Sequence, residues 1–264
     1  MSAVVVQFDP YTKTGNRLCQ FAFGKLLALQ KDVTFSSLPI PGFKNTYNNN
    51  IGITPTAEII KTLNYGAHTV NYNQLLTTQN TVLINSYLQK YVYYAQHLDF
   101  LRNLFVIENS PSIQTDENEL VIHIRGTDYR DGNVHIDDEL YFNILQKIAP
   151  KKASIVTDDI NIDIVKKLYN HDNNISVITQ SNLTNKGNGF NEHEIYDFVY
   201  MLNAKNLLIS QSTFSWWAAF LGHQTNVYVP YIKSKNCMWK LNPERDDIDL
   251  IPNDNSKFIK LIYD

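Results

Sequence analysis

Short apolar runs alternate with helix-like segments along the second half of the chain, and this alternation limits the possible folds more than any other feature. A short run that is apolar throughout is typical of a strand covered on both faces of a sheet. Strands and helices alternating at this spacing predict a parallel, doubly wound α/β sheet, in which ligands bind beyond the carboxyl ends of the strands. The predicted strands are 119–125, 153–157, 175–179, 207–209 and 226–229, the predicted helices are 138–148, 161–168, 191–202 and 214–221, and 258–262 closes the order.

The first half of the chain carries fewer regular patterns. An apolar run at 3–8 leads through a turn at 11–16 into a helix pattern over 17–30. A strand, a glycine-containing turn and a helix in this order are typical of the start of a nucleotide-binding half-domain. Residues 35–54 are rich in Asn, Pro and Gly and predict an irregular loop. We further predict a short helix at 56–63, a strand at 81–84 and a helical hairpin within 87–106.

A polar, acidic segment at 109–118 contains Pro111 and is the best candidate for a linker. The chain has 264 residues, 44% of them hydrophobic, which is enough to bury the core of one or two domains. We therefore predict two α/β domains, 1–112 and 113–264, with the more regular alternation in the second.

Composition and charge exclude several classes of protein. The formal net charge is −3, so the chain lacks the basic footprint of a nucleic-acid-binding protein. No apolar run approaches the ~20 residues that a membrane span needs, and the first residues lack the pattern of a signal peptide. The two cysteines, Cys19 and Cys237, predict neither a disulfide framework nor a metal-binding pair. We therefore expect a cytoplasmic globular protein without a membrane anchor.

One polar segment of the second half has the features of a phosphate-binding site. Residues 210–213, Ser-Gln-Ser-Thr, lie where a strand turns into a helix, so hydroxyls, backbone N–H groups and the positive end of the helix dipole come together. The alternative is ordinary capping of the helix by Ser212 or Thr213. The helix contains two adjacent tryptophans, Trp216 and Trp217, which predict burial on nearly every side.

His123 and Arg125 lie at the end of the first strand of the second half. They are two residues apart, so they point to the same side of that strand. Burying either side chain is costly unless it is paired or meets an anion, and the planar fork of an arginine suits a diphosphate. The alternative is a structural ion pair between Arg125 and Asp128. Both hold together if Asp128 orients the arginine that binds the ligand.

Four segments occur in a fixed order: GNRLCQFAFG from Gly15, HIRGTDY from His123, TDD from Thr157 and STFSWWAAFL from Ser212. Together they resemble the α-1,2-fucosyltransferases and, more distantly, the α-1,6- and protein O-fucosyltransferases. The resemblance covers about 15–239 and implies a GT-B fold, with two Rossmann-like halves facing each other across a cleft. It also implies an inverting transfer of L-fucose from GDP-fucose to a glycan acceptor, without a metal or another cofactor.

Carried over by position, the resemblance implies a GDP-fucose site in the second domain. Arg125 would hold the β-phosphate and stabilise the departing GDP, which makes it the candidate catalytic residue. His123 would line the nucleotide pocket, and Asp197 would accept hydrogen bonds from the edge of the guanine. Ser212 and Thr213 would bind the pyrophosphate from the start of their helix.

The resemblance makes the first domain the acceptor side and adds three donor-binding residues from its first turn. Gly15, Asn16 and Arg17 would approach the pyrophosphate from there. Supporting residues near the donor are Asp128, Asp158 and Asp159.

Two residues depart from the family pattern. The family motif has two consecutive arginines, and Gly126 stands in place of the second. Arg17 stands where the family usually has Gln, so we hypothesise that it restores the missing charge from across the cleft. Inversion asks for a base near the acceptor hydroxyl, and Asp131 and His135 are within reach without either being assigned.

Two other functions remain open at this point. One is a related transferase that uses a different nucleotide sugar, because Gly126 weakens the expected diphosphate site. The other is a non-catalytic module that binds a nucleotide or a sugar. Arg125, Asp197 and Thr213 are all present, which argues against a decayed site.

The hypothesis for Arg17 makes a direct prediction. The substitution Arg17→Gln should weaken GDP-fucose binding and lower turnover, because it removes the charge that replaces the second motif arginine. Titration with GDP-fucose and initial-rate measurements test it. Unchanged donor affinity and unchanged turnover would remove Arg17 from the donor site.

Overall fold

Two parallel β-sheets, each accompanied by helices, form the architecture of the chain. The computed structural model describes residues 2–10, 12–49, 59–61, 69–126, 138–178, 192–232, 248–252 and 257–263. Among these residues, one unit falls within Met1–Glu108 and Asp247–Leu250, and the other within Asn109–Gly187, Asn191–Asp246 and Ile251–Asp264. None of the helices in the described ranges is long and apolar enough to cross a membrane.

The first unit is built on a four-stranded parallel sheet with the spatial order β2-β1-β4-β3. Its strands are β1 (Ala3–Val6), β2 (Thr34–Ser37), β3 (Ile59–Lys61) and β4 (Thr81–Ile84). Its helices are α1 (Thr14–Lys31), α2 (Tyr72–Thr77) and α3 (Leu98–Leu104), with 3₁₀ turns at Lys44–Asn49, Tyr91–Tyr93 and Ala95–His97.

Helix α1 lies close against this sheet because Gly24 puts no side chain between them. A Cβ atom at Gly24 would stand 2.5 Å from Val6 Cγ2 and 3.2 Å from Ile84 Cδ1, which belong to the last residues of β1 and β4. The helix ends at Asp32, which takes a left-handed conformation with φ 53°. Its backbone N–H donates to carbonyls of the last turn. Because α1 follows β1 in the chain, its first turn lies at the carboxyl edge of the sheet.

The first half differs from the sequence-based expectations at several places. Residues 59–61 form β3, so the helix predicted over 56–63 is wrong there. Ile59 and Ile60 are β-branched, and their pairing with β4 satisfies backbone groups that a short helix would leave open. Strand β2 occupies the start of the loop predicted at 35–54, and α1 begins at Thr14, inside the predicted turn.

The remaining differences concern short elements. Helix α2 was not predicted, and the helical hairpin expected within 87–106 consists of two 3₁₀ turns followed by α3. Each of these elements has seven residues or fewer, so contacts with the rest of the unit decide its form. The strand predicted at 81–84 is confirmed as β4.

The second unit is built on a six-stranded parallel sheet with the spatial order β10-β9-β8-β5-β6-β7. Its elements confirm the predicted strands and helices to within a few residues. The strands are β5 (Glu119–Ile124), β6 (Lys152–Thr157), β7 (Ile175–Val177), β8 (Asn206–Leu208), β9 (Asn226–Ile232) and β10 (Phe258–Tyr263). The helices are α4 (Asp138–Ile148), α5 (Asp163–His171), α6 (Glu192–Asn203) and α7 (Thr213–Leu221).

Strand β5 stands where the order of this sheet reverses. The chain runs from β5 to β6 and β7 on one side and then returns to β8, β9 and β10 on the other. All six residues of β5 are buried, as expected for a strand covered on both faces. A crevice beyond the carboxyl ends of β5 and β8 is the usual ligand position in such a sheet.

The amino end of β5 carries a structural polar network instead. The hydroxyl of Tyr200 donates to Glu119 Oε1 at 2.9 Å, and Ser154 donates to the same oxygen. Burial raises the pKa of Tyr200 to about 12, so its hydroxyl stays protonated and continues to donate. These bonds satisfy a carboxylate that is 1% exposed and tie α6 to the neighbouring strands.

Helix α7 is buried almost throughout its length, as the paired tryptophans predict. Trp216 and Trp217 are both 0% exposed, and their rings meet edge to face with centroids 5.0 Å apart. Trp216 also stacks on Phe220 at a centroid distance of 5.0 Å. Burial of this aromatic group fixes the helix firmly in the unit.

Polar side chains satisfy the last carbonyls of α7. The amide of Gln224 donates to Ala218 O at 3.1 Å and, in α6, to Met201 O at 2.9 Å. The ammonium of Lys257 donates to Ala219 O at 2.6 Å and to Gly222 O at 2.9 Å. A buried helix end without such partners would leave several carbonyls unsatisfied.

Gly222, directly after α7, should not tolerate a side chain. A Cβ atom there would stand 2.5 Å from the backbone oxygen of Leu202 and 2.4 Å from the Gln224 amide nitrogen. Gly222→Ala should therefore lower the free energy of unfolding by about 1–3 kcal/mol, measured by urea denaturation. Thr225→Ala, at an exposed position nearby, is the control and should change it by less than about 0.5 kcal/mol. Equal stability of the Gly222→Ala variant and the wild type would contradict this packing.

Candidate functional site

Polar side chains gather at the carboxyl ends of β5 and β8, where the strand order reverses. His123 is the penultimate residue of β5, and Ser210 follows two residues after the end of β8. The parallel pairing of Ile122 with Leu208 sets the register of these ends. As a result, His123 Nδ1 lies 2.6 Å from Ser210 Oγ, although the two residues are 87 positions apart.

The imidazole of His123 is held neutral by its surroundings. The residue is 3% exposed, and burial lowers its pKa from 6.5 to about 4. The carboxylate of Asp158 opposes this shift, and the guanidinium of Arg125 adds to it. The ring of Phe214 lies beside it at a centroid distance of 6.1 Å. A neutral imidazole in this place offers one N–H donor and one nitrogen acceptor.

Asp158 orients Arg125, just beyond the end of β5. The Nη1 atom of Arg125 lies 3.0 Å from Asp158 Oδ2, and the backbone N–H of Gly126 donates to Oδ1 at 2.7 Å. One carboxylate therefore holds both the guanidinium and the chain that follows it. Asp128, which the sequence offered as the partner, lies outside the described residues. The Arg125 side chain keeps 17% of its surface exposed, so part of the guanidinium can reach a ligand.

The glycine at 126 is packed against the neighbouring loop. A Cβ atom there would stand 2.8 Å from Ile162 Cδ1 and 3.5 Å from Asp158 Oδ1. The space in which a second arginine side chain would begin is thus taken by Ile162, which directly precedes α5. Gly126 and the loop before α5 are therefore packed directly against each other.

Asp159 has a structural part in the same loop. Its Oδ1 accepts from the backbone N–H of Asn161 at 2.8 Å, and its own N–H donates to Thr157 Oγ1 at 3.1 Å. The residue is 6% exposed. These bonds form a turn that carries the chain from β6 towards α5, so Asp159 positions Asp158 next to it.

Ser212 caps the start of α7, as one of the two sequence interpretations predicts. Its Oγ accepts from the backbone N–H of Phe214 at 3.3 Å, and its carbonyl accepts from Trp216 N at 3.0 Å. Thr213 is the first residue of the helix and is 8% exposed. The cap leaves the positive end of the helix dipole at the same edge of the sheet as Arg125, so both interpretations can hold together.

Asp197 lies on α6 and is 3% exposed. The ring of Phe214, from the start of α7, lies close both to the residue that follows Asp197 and to the imidazole of His123. That ring lies 5.2 Å from the ring of Phe198, the next residue after Asp197, and 6.1 Å from the imidazole of His123. The second unit thus holds His123, Arg125, Asp158, Asp197, Ser212 and Thr213 on elements around the ends of β5 and β8.

Gly15, Asn16 and Arg17 belong to the first unit and lie in the first turn of α1. Gly15 and Asn16 were expected at the end of the preceding turn, with the helix beginning at Arg17, but the helix already begins at Thr14. Asn16 Oδ1 accepts from Gln89 Nε2 at 2.7 Å, and the guanidinium of Arg17 lies over the ring of Phe8, 5.5 Å from its centroid. Their part in donor binding stays a prediction.

The sequence interpretation missed two contacts of this site. It took the hydroxyl of Ser210 as part of a phosphate-binding turn and did not connect it with His123. It also did not connect Arg125 with Asp158, which follows the next strand, and the pairing of Arg125 with Asp128 stays a prediction. Both contacts depend on which strands are neighbours. The candidate bases Asp131 and His135 lie outside the described residues, within which no three His, Cys, Asp or Glu side chains form a metal-binding group.

Comparisons with known proteins agree with the fold and the motifs. A family model, glycosyl transferase family 11, matches residues 45–242. A mutant of FUT1 from Arabidopsis thaliana, solved in complex with GDP, has a similar fold with a TM-score of 0.54 and 14% sequence identity, covering 88% of this chain and 71% of that one. A search of curated proteins found no match. This structural likeness and the two parallel sheets confirm the α/β, GT-B-like fold class that the sequence predicts.

Acid should destabilise the protein through His123. In the unfolded chain a histidine takes up its proton near pH ~6.5, whereas in the folded protein burial lowers the pKa of His123 to about 4. Between these values the unfolded state binds more protons, so the free energy of unfolding falls as the pH falls through this window. The loss attributable to His123 is up to ~3 kcal/mol.

Urea denaturation at about pH 7 and about pH 4.5 measures this loss. The His123→Gln variant should lose less stability between the two conditions than the wild type does. His171→Gln, which changes an exposed histidine on α5, is the matched control and should behave as the wild type. An equal loss in wild type and His123→Gln would show that His123 does not titrate in this window.

Proposed function

The chain belongs to glycosyl transferase family 11, and we propose that it transfers L-fucose from GDP-fucose to a hydroxyl of a glycan acceptor. The family match confirms the membership that the four sequence segments predict. The proposal takes the new linkage to be α-1,2 to galactose or a similar sugar, and the transfer to be inverting and independent of metal, as the resemblance implies.

The oriented guanidinium of Arg125 carries this proposal. Asp158 holds it at 3.0 Å beyond the end of β5, and part of the side chain stays exposed. A cation fixed in this way at the ligand edge of a parallel sheet suits a diphosphate, because the planar fork of an arginine matches the geometry of phosphate oxygens. The start of α7 adds the positive end of a helix dipole at the same edge.

These groups support the departure of GDP. In an inverting transfer the acceptor oxygen forms a bond to the anomeric carbon while the bond from that carbon to the diphosphate breaks. The bonding electrons and the negative charge go to the diphosphate, and the acceptor proton goes to a base. Donors that are already aimed at the developing charge typically lower such a barrier by a few kcal/mol. Because Asp158 orients Arg125, little reorganisation is needed when the charge appears.

The nucleobase is assigned to the part of the site formed by His123 and Asp197. A carboxylate can accept from the two neighbouring N–H donors of guanine, and the neutral imidazole can donate one hydrogen bond. The structure of Arabidopsis FUT1 with GDP supports a guanine nucleotide as the ligand of this fold. Ser212 and Thr213 are proposed for the pyrophosphate, with Gly15, Asn16 and Arg17 as further donor-binding residues.

One observation favours a second candidate function, a transferase that uses a different nucleotide sugar. Gly126 provides no side chain next to the diphosphate position, and Ile162 takes the adjoining space. The site therefore has one arginine where the family motif has two. A panel of nucleotide sugars distinguishes the candidates, since a GDP-fucose enzyme must use GDP-fucose as its donor in preference to other GDP-linked sugars and to sugars linked to other nucleotides.

Arg125→Ala should cost about 100-fold or more in turnover, because it removes the donor aimed at the departing diphosphate. The same change should weaken GDP binding in calorimetric titration. Arg125→Lys keeps the charge but loses the planar fork, so it should recover only part of the activity. The matched control is Lys166→Ala, which removes one positive charge from the exposed face of α5 in the same unit and should leave both measurements unchanged.

The outcomes separate the candidate functions. GDP binding that needs Arg125, together with transfer to an acceptor in a glycan screen, supports the fucosyltransferase. GDP binding without hydrolysis or transfer of the donor indicates a binding module. If the wild type binds neither GDP nor GDP-fucose, the fucosyltransferase proposal is wrong.

A further inference from the structure

The surrounding residues decide which side chain donates the hydrogen bond between His123 and Ser210. Both residues are 3% exposed, and His123 Nδ1 lies 2.6 Å from Ser210 Oγ. Among the described residues, Ser210 is the one hydrogen-bond partner of the imidazole, and it contacts Nδ1. The proton of this hydrogen bond can belong to either atom, and its position sets the tautomer of the imidazole.

The hydroxyl of Ser210 is the better donor of the two. Within the described part of the chain, Nδ1 is the single acceptor available to this hydroxyl. If Nδ1 carried the proton and donated to Oγ, the Ser210 O–H would be buried without an acceptor, which costs the full desolvation of that group. If Ser210 donates, its hydroxyl is satisfied and the proton of the neutral imidazole lies on Nε2.

We propose that Ser210 is a positioning residue that fixes His123 with its proton on Nε2 and thereby makes the site select guanine over adenine. The proposal rests on the nucleotide-binding function proposed above and concerns how that site recognises its base. It assigns Ser210 a part that is distinct from capping and from phosphate binding.

The selection follows from the hydrogen-bonding edge of each base. Guanine presents the O6 acceptor beside its N1–H and N2–H donors, and adenine presents an N6 amine where guanine has O6. An Nε2–H donor from His123 and a carboxylate acceptor from Asp197 complement the guanine pattern. Adenine would place its amine against the Nε2–H donor, and two opposed donors repel. With the other tautomer, Nε2 would be an acceptor and the preference would reverse at this position.

Nitrogen NMR tests the tautomer without any ligand or turnover. In ¹⁵N-histidine-labelled protein, the His123 signals are identified by their loss in His123→Gln. We expect a protonated Nε2 and an unprotonated Nδ1 in the wild type and in Ser210→Thr, which retains the hydroxyl. In Ser210→Ala the two tautomers should become mixed. A protonated Nδ1 in the folded wild type would overturn the proposal.

Binding of GDP and ADP tests the selection. Ser210→Ala should weaken GDP binding by about twofold to threefold, because only part of the imidazole then carries its proton on Nε2, and it should not weaken ADP binding. Ser210→Thr should keep the preference of the wild type. Ser176→Ala, which removes a half-buried hydroxyl from β7 in the same sheet, is the matched control and should change neither ligand.

A structural role of Ser210 alone would weaken both nucleotides equally, and this result would overturn the inference while the proposed function stands. Loss of the folded state in Ser210→Ala would appear as changed thermal unfolding. In that case the NMR measurement of the wild-type tautomer decides whether the proposal stands. If the wild type binds no GDP, the proposed function itself fails, which separates the two conclusions.

Discussion

The complete burial of strand β5 is the constraint on which the second unit depends. All six of its residues are covered, and it pairs with β6 on one side and β8 on the other. Because the strand order reverses there, the end of β5 and the segments that follow β6 and β8 reach the same edge. His123 and Arg125 come from the end of β5, Asp158 follows β6, and Ser210 follows β8. The contacts of His123 with Ser210 at 2.6 Å and of Arg125 with Asp158 at 3.0 Å follow from the register of the strands.

Helix α7 fixes the other side of the site by burial on nearly all sides. Its tryptophans fill the interior, while Gln224 and Lys257 satisfy the carbonyls at its end. Such a helix cannot shift to follow a ligand without exposing apolar surface and opening these bonds. The start of the helix, with Ser212 as its cap, is therefore a rigid part of the site and suits the binding of an anion.

The sequence predicts the second unit well and the first unit less well, for physical reasons. The runs that become β5, β6 and β9 are apolar and bounded by polar turns, so local pattern decides them. Strand β3 has three residues, and its form depends on pairing with β4, which lies beyond it in sequence. In the candidate site the sequence names Arg125 and Asp158 but does not show that they contact each other. Arg125 pairs with Asp158 across two neighbouring strands, and no local pattern shows which strands are neighbours.

The contact of Gly126 with Ile162 also has a consequence for substitutions at either position. A side chain introduced at 126 would begin 2.8 Å from Ile162 Cδ1 and 3.2 Å from its Cγ2, so Ile162 must turn aside or become smaller to admit it. A smaller residue at 162 alone would leave a gap beside Gly126. The effects of substitutions at these two positions should therefore be coupled, which is epistasis between one loop and the next.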